Sequence, residues 1–257
     1  MLVKEIIEKL GTEIPEADAC SWDNVGLLLG DESWEVKKIY VALDATDDVV
    51  SHAIAYGADM IVTHHPMIFS GMKRIVASDF IGNKILRLAE HKIAVYAMHT
   101  NFDIHGMGDL VDQCLGLKDT DTLEVCLEDG QGIGSVGNLS EETTLESFAS
   151  YVRDQLQIQS VKVFGNPKAK ISRVAVLPGS GKSDIDLAIS KAADVLITGD
   201  VDHHSGIDAL QKGLQIIDAG HYGVEHLFIS YMADKLRALF DGVEVQEEPK
   251  QEPFIII

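Results

Sequence analysis

Two histidines stand side by side at the end of an apolar run, Met60-Ile61-Val62-Thr63-His64-His65-Pro66. Imidazole binds metals and moves protons near neutral pH, so adjacent rings point to one of those chemistries. Two further histidines each have a carboxylate four residues on, His99 with Asp103 and His221 with Glu225. On a helix that spacing puts both side chains on one face; in a turn it also converges. His64, His65, Asp103, His221 and Glu225, with His99 close by, form a nitrogen and oxygen donor set without thiolate. Such a set suits zinc, iron, manganese or nickel. Five or six ligands are too many for one catalytic zinc. They match two divalent ions about 3.5–4 Å apart, bridged by a carboxylate and a water. His99 and His204 are the candidates for proton transfer.

The elements that deliver these groups occur twice. Residues 39–44 read as a strand, Asp47 to Tyr56 as a helix closed by Gly57, and residues 58–63 as the next strand. Residues 174–177, 184–192 and 193–198 repeat the pattern, and Ala-Asp-Met-Ile-Val-Thr at 58–63 matches Ala-Asp-Val-Leu-Ile-Thr at 193–198. His64-His65 follows the first copy and Gly199-Asp200 the second. A third strand in each half, 93–98 and 214–218, runs to His99 and His221. Ligands in open α/β sheets bind beyond the carboxyl ends of strands, which is where these histidines fall. Neighbouring side chains on a regular strand point to opposite faces. For His64 and His65 to serve one site, the chain must already be turning there.

The expected fold is α/β: two similar linked domains, mostly parallel sheets flanked by helices, with the metal site in the cleft between them. The first domain is expected over 1–125 and the second over 126–240, with 240–257 packing back on the first. Gly130, Gly132, Gly134 and Gly137 are expected to punctuate short strands before a helix over 145–156.

Charge and composition exclude several partners. The chain has 41 acidic against 21 basic residues, net −20. That disfavours nucleic acid and anionic membranes, both of which need local basic surface. No apolar run reaches the ~18 residues of a membrane span. Cys20, Cys114 and Cys126 are scattered, which argues against a disulfide framework and for a reduced, cytoplasmic setting. The first residues, Met1 to Ile7, read as an amphipathic helix, with acids too early for a signal peptide.

Other features carry less. His203 and His204 lie just past a strand end, and His226 neighbours Glu225; His52, His91 and His105 read as ordinary surface or loop residues. Lys73, Arg74 and Lys182 are the cations available to a phosphorylated substrate. Val176-Leu177-Pro178-Gly179-Ser180-Gly181-Lys182-Ser183 imitates a phosphate-binding loop, but that pattern needs glycine where Val176 stands. A tight turn between strand and helix is at least as good a reading. The apolar end, Phe254-Ile255-Ile256-Ile257, is expected to dock as an edge strand or in a subunit interface.

Trp22-Asp23-Asn24-Val25-Gly26-Leu27, Thr63-His64-His65-Pro66, Asn101-Phe102-Asp103, Gly179-Ser180-Gly181, Thr198-Gly199-Asp200 and Gly220-His221-Tyr222-Gly223-Val224-Glu225 occur in this order. Together they resemble the NIF3-like family, the GTP cyclohydrolase 1 type 2 homologues, in its short form without an inserted domain. The resemblance spans essentially the whole chain. It implies a dinuclear metal centre between two similar α/β domains, in a toroidal homohexamer. It carries the family's ligands onto His64, His65, Asp103, His221 and Glu225, with Glu225 bridging, and holds His99 as a ligand or near-ligand.

The function expected from residues and resemblance together is a metal-dependent hydrolase. Its substrate would be a nucleotide or related phosphorylated or heterocyclic small molecule. The alternative is a non-catalytic scaffold that handles metal or regulates.

Overall fold

The computed structural model describes every residue from Met1 to Ile257. In chain order its strands are β1 (Gly26–Leu29), β2 (Lys38–Ala42), β3 (Met60–Thr63), β4 (Ala94–Ala97), β5 (Lys118–Val125), β6 (Gly132–Thr144), β7 (Lys162–Phe164), β8 (Lys170–Ser180), β9 (Val195–Gly199), β10 (Gln215–Asp218) and β11 (Glu244–Glu247). Its helices are α1 (Val3–Gly11), α2 (Asp47–Tyr56), α3 (Phe80–Glu90), α4 (Thr100–Phe102), α5 (Gly108–Leu115), α6 (Leu145–Gln155), α7 (Ile185–Ser190), α8 (His203–Gln211), α9 (His221–Glu225) and α10 (Leu227–Leu239). A π turn, Asp103–Met107, lies between α4 and α5. None of the helices is long and apolar enough to cross a membrane.

The chain divides into two units, Met1–Phe102 with Phe228–Lys250, and Asp103–Leu227 with Gln251–Ile257. The first holds a five-stranded sheet in the order β1-β4-β3-β2-β11. β4, β3, β2 and β11 pair in parallel, and β1 closes the edge antiparallel to β4. β3 and β4 are buried throughout, as expected of parallel strands covered on both faces. One face packs Ile61 and Val95 with Val49, Val50 and Ala53 of α2 and Ile85 and Leu88 of α3. α2 begins where the Thr46 hydroxyl accepts the Val49 N–H, and it ends at Gly57 in the left-handed region.

The second unit's six-stranded sheet runs β5-β6-β8-β9-β10-β7. Only β8-β9 and β9-β10 are parallel pairs, so this sheet is mixed rather than mostly parallel. Alternation along the strands feeds two layers. Val174, Val176, Val195 and Ile197 pack with α5, α6 and α9, while Ala175, Leu177 and Leu196 pack with α7 and α8.

The same aspartate builds both parallel frames. Asp59 accepts the N–H groups of Lys37 and Lys38, and Asp194 accepts those of Ser172 and Arg173. The repeated Ala-Asp pair therefore anchors each strand to the start of its neighbour.

Three expectations are corrected. A boundary after residue 125 would cut β5 from its antiparallel partner β6; the change of unit falls at Phe102 and Asp103. The glycines of 132–137 do not break the chain into short strands but lie in the long β6. A side chain at Gly132 would sit 1.8 Å from the Glu124 carbonyl oxygen, so glycine permits the pairing. Phe254–Ile257 does not form the expected edge strand: these residues are exposed in the single chain, and β11 takes the edge beside β2 instead, so docking in a subunit interface is the form of that expectation that stands. Pro253, which has no N–H to donate, precedes them.

Candidate metal centre

In the first unit β3 ends at Thr63, and the chain bends through His64 and His65. The Thr63 hydroxyl donates to the His65 carbonyl at 2.9 Å, which holds the bend. The bend removes the strand's alternation, and the two rings lie 4.9 Å apart between centroids. His99 follows β4, the neighbouring strand. One ring nitrogen from each of His64, His65 and His99 lies within 4.8 Å of the others, so the cluster could hold a metal ion.

Each ring is oriented from behind. His64 Nδ1 is 2.8 Å from the Met98 carbonyl oxygen, His65 Nδ1 2.8 Å from Asp44 Oδ1, and His99 Nδ1 2.9 Å from Asp23 Oδ1. A carbonyl or carboxylate only accepts, so Nδ1 is the donor in each. This is the arrangement that fixes tautomer and raises basicity in metal-binding histidines. The Asp23 side chain is fully buried. Burial alone would raise its pKa, but hydrogen bonds from His99 and from the Thr100 hydroxyl and N–H outweigh that and hold the carboxyl well below the usual range.

In the second unit His221 opens α9 after β10, and Glu225 lies one turn on. His221 Nε2 and Glu225 Oε2 are 3.0 Å apart, with the carboxylate almost wholly buried. A carboxylate oxygen of Asp103, at the start of the π turn, lies within 4.8 Å of one from Glu225. His221 Nδ1 is 2.9 Å from Asp200 Oδ2, so this ring too is held from behind by an acceptor. Asp200 adopts φ of 57°, a left-handed conformation that aspartate tolerates better than most residues. Gly179 makes room for Glu225: a side chain there would come within 2.7 Å of Oε1, at a φ of 75°. The Gly181 N–H donates to the Thr198 hydroxyl at 2.8 Å, so this glycine turn spends that donor internally rather than on a phosphate. A cavity of about 420 Å³ beside His221 is lined by Lys162, Asp218, Tyr222 and Phe254 among others.

Of the residues singled out in the sequence, His64, His65 and His99 come together in the first unit, and Asp103, His221 and Glu225 in the second. His204 belongs to neither group; it is exposed in the first turn of α8, edge-on to His203. His226 stacks on Tyr222 and donates to backbone carbonyls. Lys182 faces Asp202 at 3.8 Å, and Lys73 and Arg74 line a surface pocket with Met72 and Val76. The orienting carboxylates Asp23, Asp44 and Asp200 were not assigned a role from sequence. A signal was present, because Asp44 and Asp200 each follow a strand and precede their histidine by 21 residues.

A model of the Duf34/NIF3 (NGG1p interacting factor 3) family matches residues 1–253. A "GTP cyclohydrolase 1 type 2 homolog" from Lactococcus lactis is 37% identical over 246 residues, 93% of each chain. The crystal structure of Staphylococcus aureus protein SA1388 superposes with a TM-score of 0.93 at 30% identity, covering 100% of this chain and 99% of that one. A Bacillus cereus protein related to NIF3 superposes with a TM-score of 0.92 at 26% identity, with the same coverage.

Proposed function

The chain belongs to the Duf34/NIF3 family, and on that premise we propose that it is a metal-dependent hydrolase. In this reading His64, His65, Asp103, His221 and Glu225 hold two divalent cations. The observation that carries it is common to four histidines: His64, His65, His99 and His221 each have Nδ1 held by a carbonyl or carboxylate acceptor, and each belongs to a cluster of donor atoms that could hold a metal ion. One such ring is ordinary. Four, in two units, are what a nitrogen and oxygen metal site requires. The donor set fits zinc, iron, manganese or nickel.

Divalent ions, when bound, supply Lewis acidity and an activated water at neutral pH. The chain's own residues do the rest. Asp44 and Asp200 hold the His65 and His221 rings in register. Glu225, buried behind Gly179, brings negative charge to the cations and is the bridging candidate. His99, fixed by Asp23 and outside that ligand set, is the candidate to accept a proton and return it to the leaving group. The substrate class is a nucleotide or related heterocyclic or phosphorylated small molecule. The names borne by curated relatives support that class. A cytoplasmic homohexamer is part of the same proposal.

The test is metal content and turnover of His64→Ala beside the unaltered protein, on a panel of nucleotides and phosphodiesters. Loss of metal and at least a hundredfold loss of turnover are expected together. Turnover that survives loss of the metal would overturn the hydrolase. Full metal with no turnover on any substrate would favour the scaffold.

A further inference from the structure

We propose that Trp22 and Phe69 form the surface that receives a planar heteroaromatic ring beside the first unit's histidines; this deepens, and rests on, the reading of that cluster as a metal-dependent site. Trp22 is 60% exposed and Phe69 53%. Their centroids are 6.1 Å apart with the ring planes tilted at 50°. Trp22 also stands edge-on to His99 at 6.1 Å, and His99 lies 5.2 Å from His64 and 5.5 Å from His65. A run of rings therefore leads from the surface to the buried His64.

Leaving two such side chains half in water forgoes part of the burial they could contribute. Their placement is nevertheless built. The Asn24 side-chain amide donates to the Ile68 carbonyl, which ties the Trp22 loop to the Phe69 loop. Asp23, next to Trp22, is locked by His99 and Thr100. Aromatic faces held in advance lose little freedom on binding, which is how rigid anchors gain affinity. Two rings at 50° make an open wedge. A flat heterocycle stacks on one face and meets the edge of the other. Stacking accepts purines and pyrimidines alike, since every base has a π face. The rest of such a ligand would extend past His99 toward the other two imidazoles. Occupation by a second copy of the chain is the rival that the test must exclude.

The test uses the full-length, metal-loaded protein carrying Trp34→Phe, so that Trp22 is the remaining tryptophan. Guanosine and adenosine are titrated against its fluorescence, with ribose 5-phosphate and inorganic phosphate as controls. The expected result is saturable quenching by the nucleosides alone. Phe69→Ala should weaken that binding roughly 5- to 100-fold. Calorimetry on Trp22→Ala should show a similar loss and Trp22→Phe partial recovery. Metal content and oligomeric state are read on the same samples. No quenching at full metal content overturns the stacking surface. So does quenching by ribose 5-phosphate as strong as by guanosine. A change of oligomeric state in Trp22→Ala or Phe69→Ala with nucleoside affinity intact overturns it in favour of a second copy. Nucleoside quenching in protein that takes up no metal leaves the stacking surface standing and removes the metal reading instead.

Discussion

The two units use one device at different strands. In the first, Asp44 at the end of β2 orients His65 at the end of β3; in the second, Asp200 at the end of β9 orients His221 after β10. The separation is 21 residues both times, yet the second device is moved one strand along. The reason lies in the two residues just beyond the matched strand sequences. Where the first copy has His64-His65, the second has Gly199-Asp200. A side chain at Gly199 would come within 2.4 Å of the His221 backbone nitrogen, so the second unit gives up an imidazole there to bring two backbones together. One unit thus presents three imidazoles, the other one imidazole and two carboxylates. A common frame can be kept while its strand-end residues are specialised for nitrogen or oxygen donors.

The largest test of this comparison substitutes the paired aspartates. Asp44→Asn and Asp200→Asn should each lower metal affinity by about 10- to 100-fold, measured by competition with a chelating dye. Comparable losses are expected in the two units. A large effect in one unit alone would show that the devices are alike in form but not in use.

A second comparison concerns buried aspartates with opposite environments. Asp23 gathers donors and is held low; Asp112 has the Ser135 hydroxyl as its one close donor. Burial pushes Asp112 up to about 6, aided by the charge of Asp109 and opposed by Ser135. A carboxyl raised above its unfolded value costs stability once it ionises. That cost is absent below about pH 4 and grows as pH rises through 6. Asp112→Asn should therefore stabilise the protein by roughly 1–3 kcal/mol at pH 8, and hardly at all at pH 4. Urea unfolding at the two pH values checks both the size and the sign. An equal effect at both would trace the change to packing rather than charge.

The smallest expected effect is at His204. Its alanine variant should keep full metal content and shift stability by less than about 0.5 kcal/mol. A loss of turnover there would bring this exposed histidine into the chemistry.

These residues also show what the sequence made legible. The repeated Ala-Asp strands, the Gly57 cap and the histidines at strand ends were readable because each depends on local pattern. The role of Asp59 and Asp194 as anchors was hidden inside that pattern. The carboxylates behind the rings were harder to see, since an aspartate orienting a histidine 76 residues away, as Asp23 does for His99, leaves no periodic trace. The glycines of β6 misled for a related reason. Glycine reads as a break, whereas here it admits a neighbouring backbone across the sheet.

The central claim is that two specialised sets of donors serve two cations. It is tested most directly by the metal-to-protein ratio of the full chain, reconstituted under reducing conditions and measured by elemental analysis. The account predicts a ratio near two, falling when either His65 or His221 is replaced by alanine. A ratio near zero in the unaltered protein, or one unchanged by both substitutions, would contradict it.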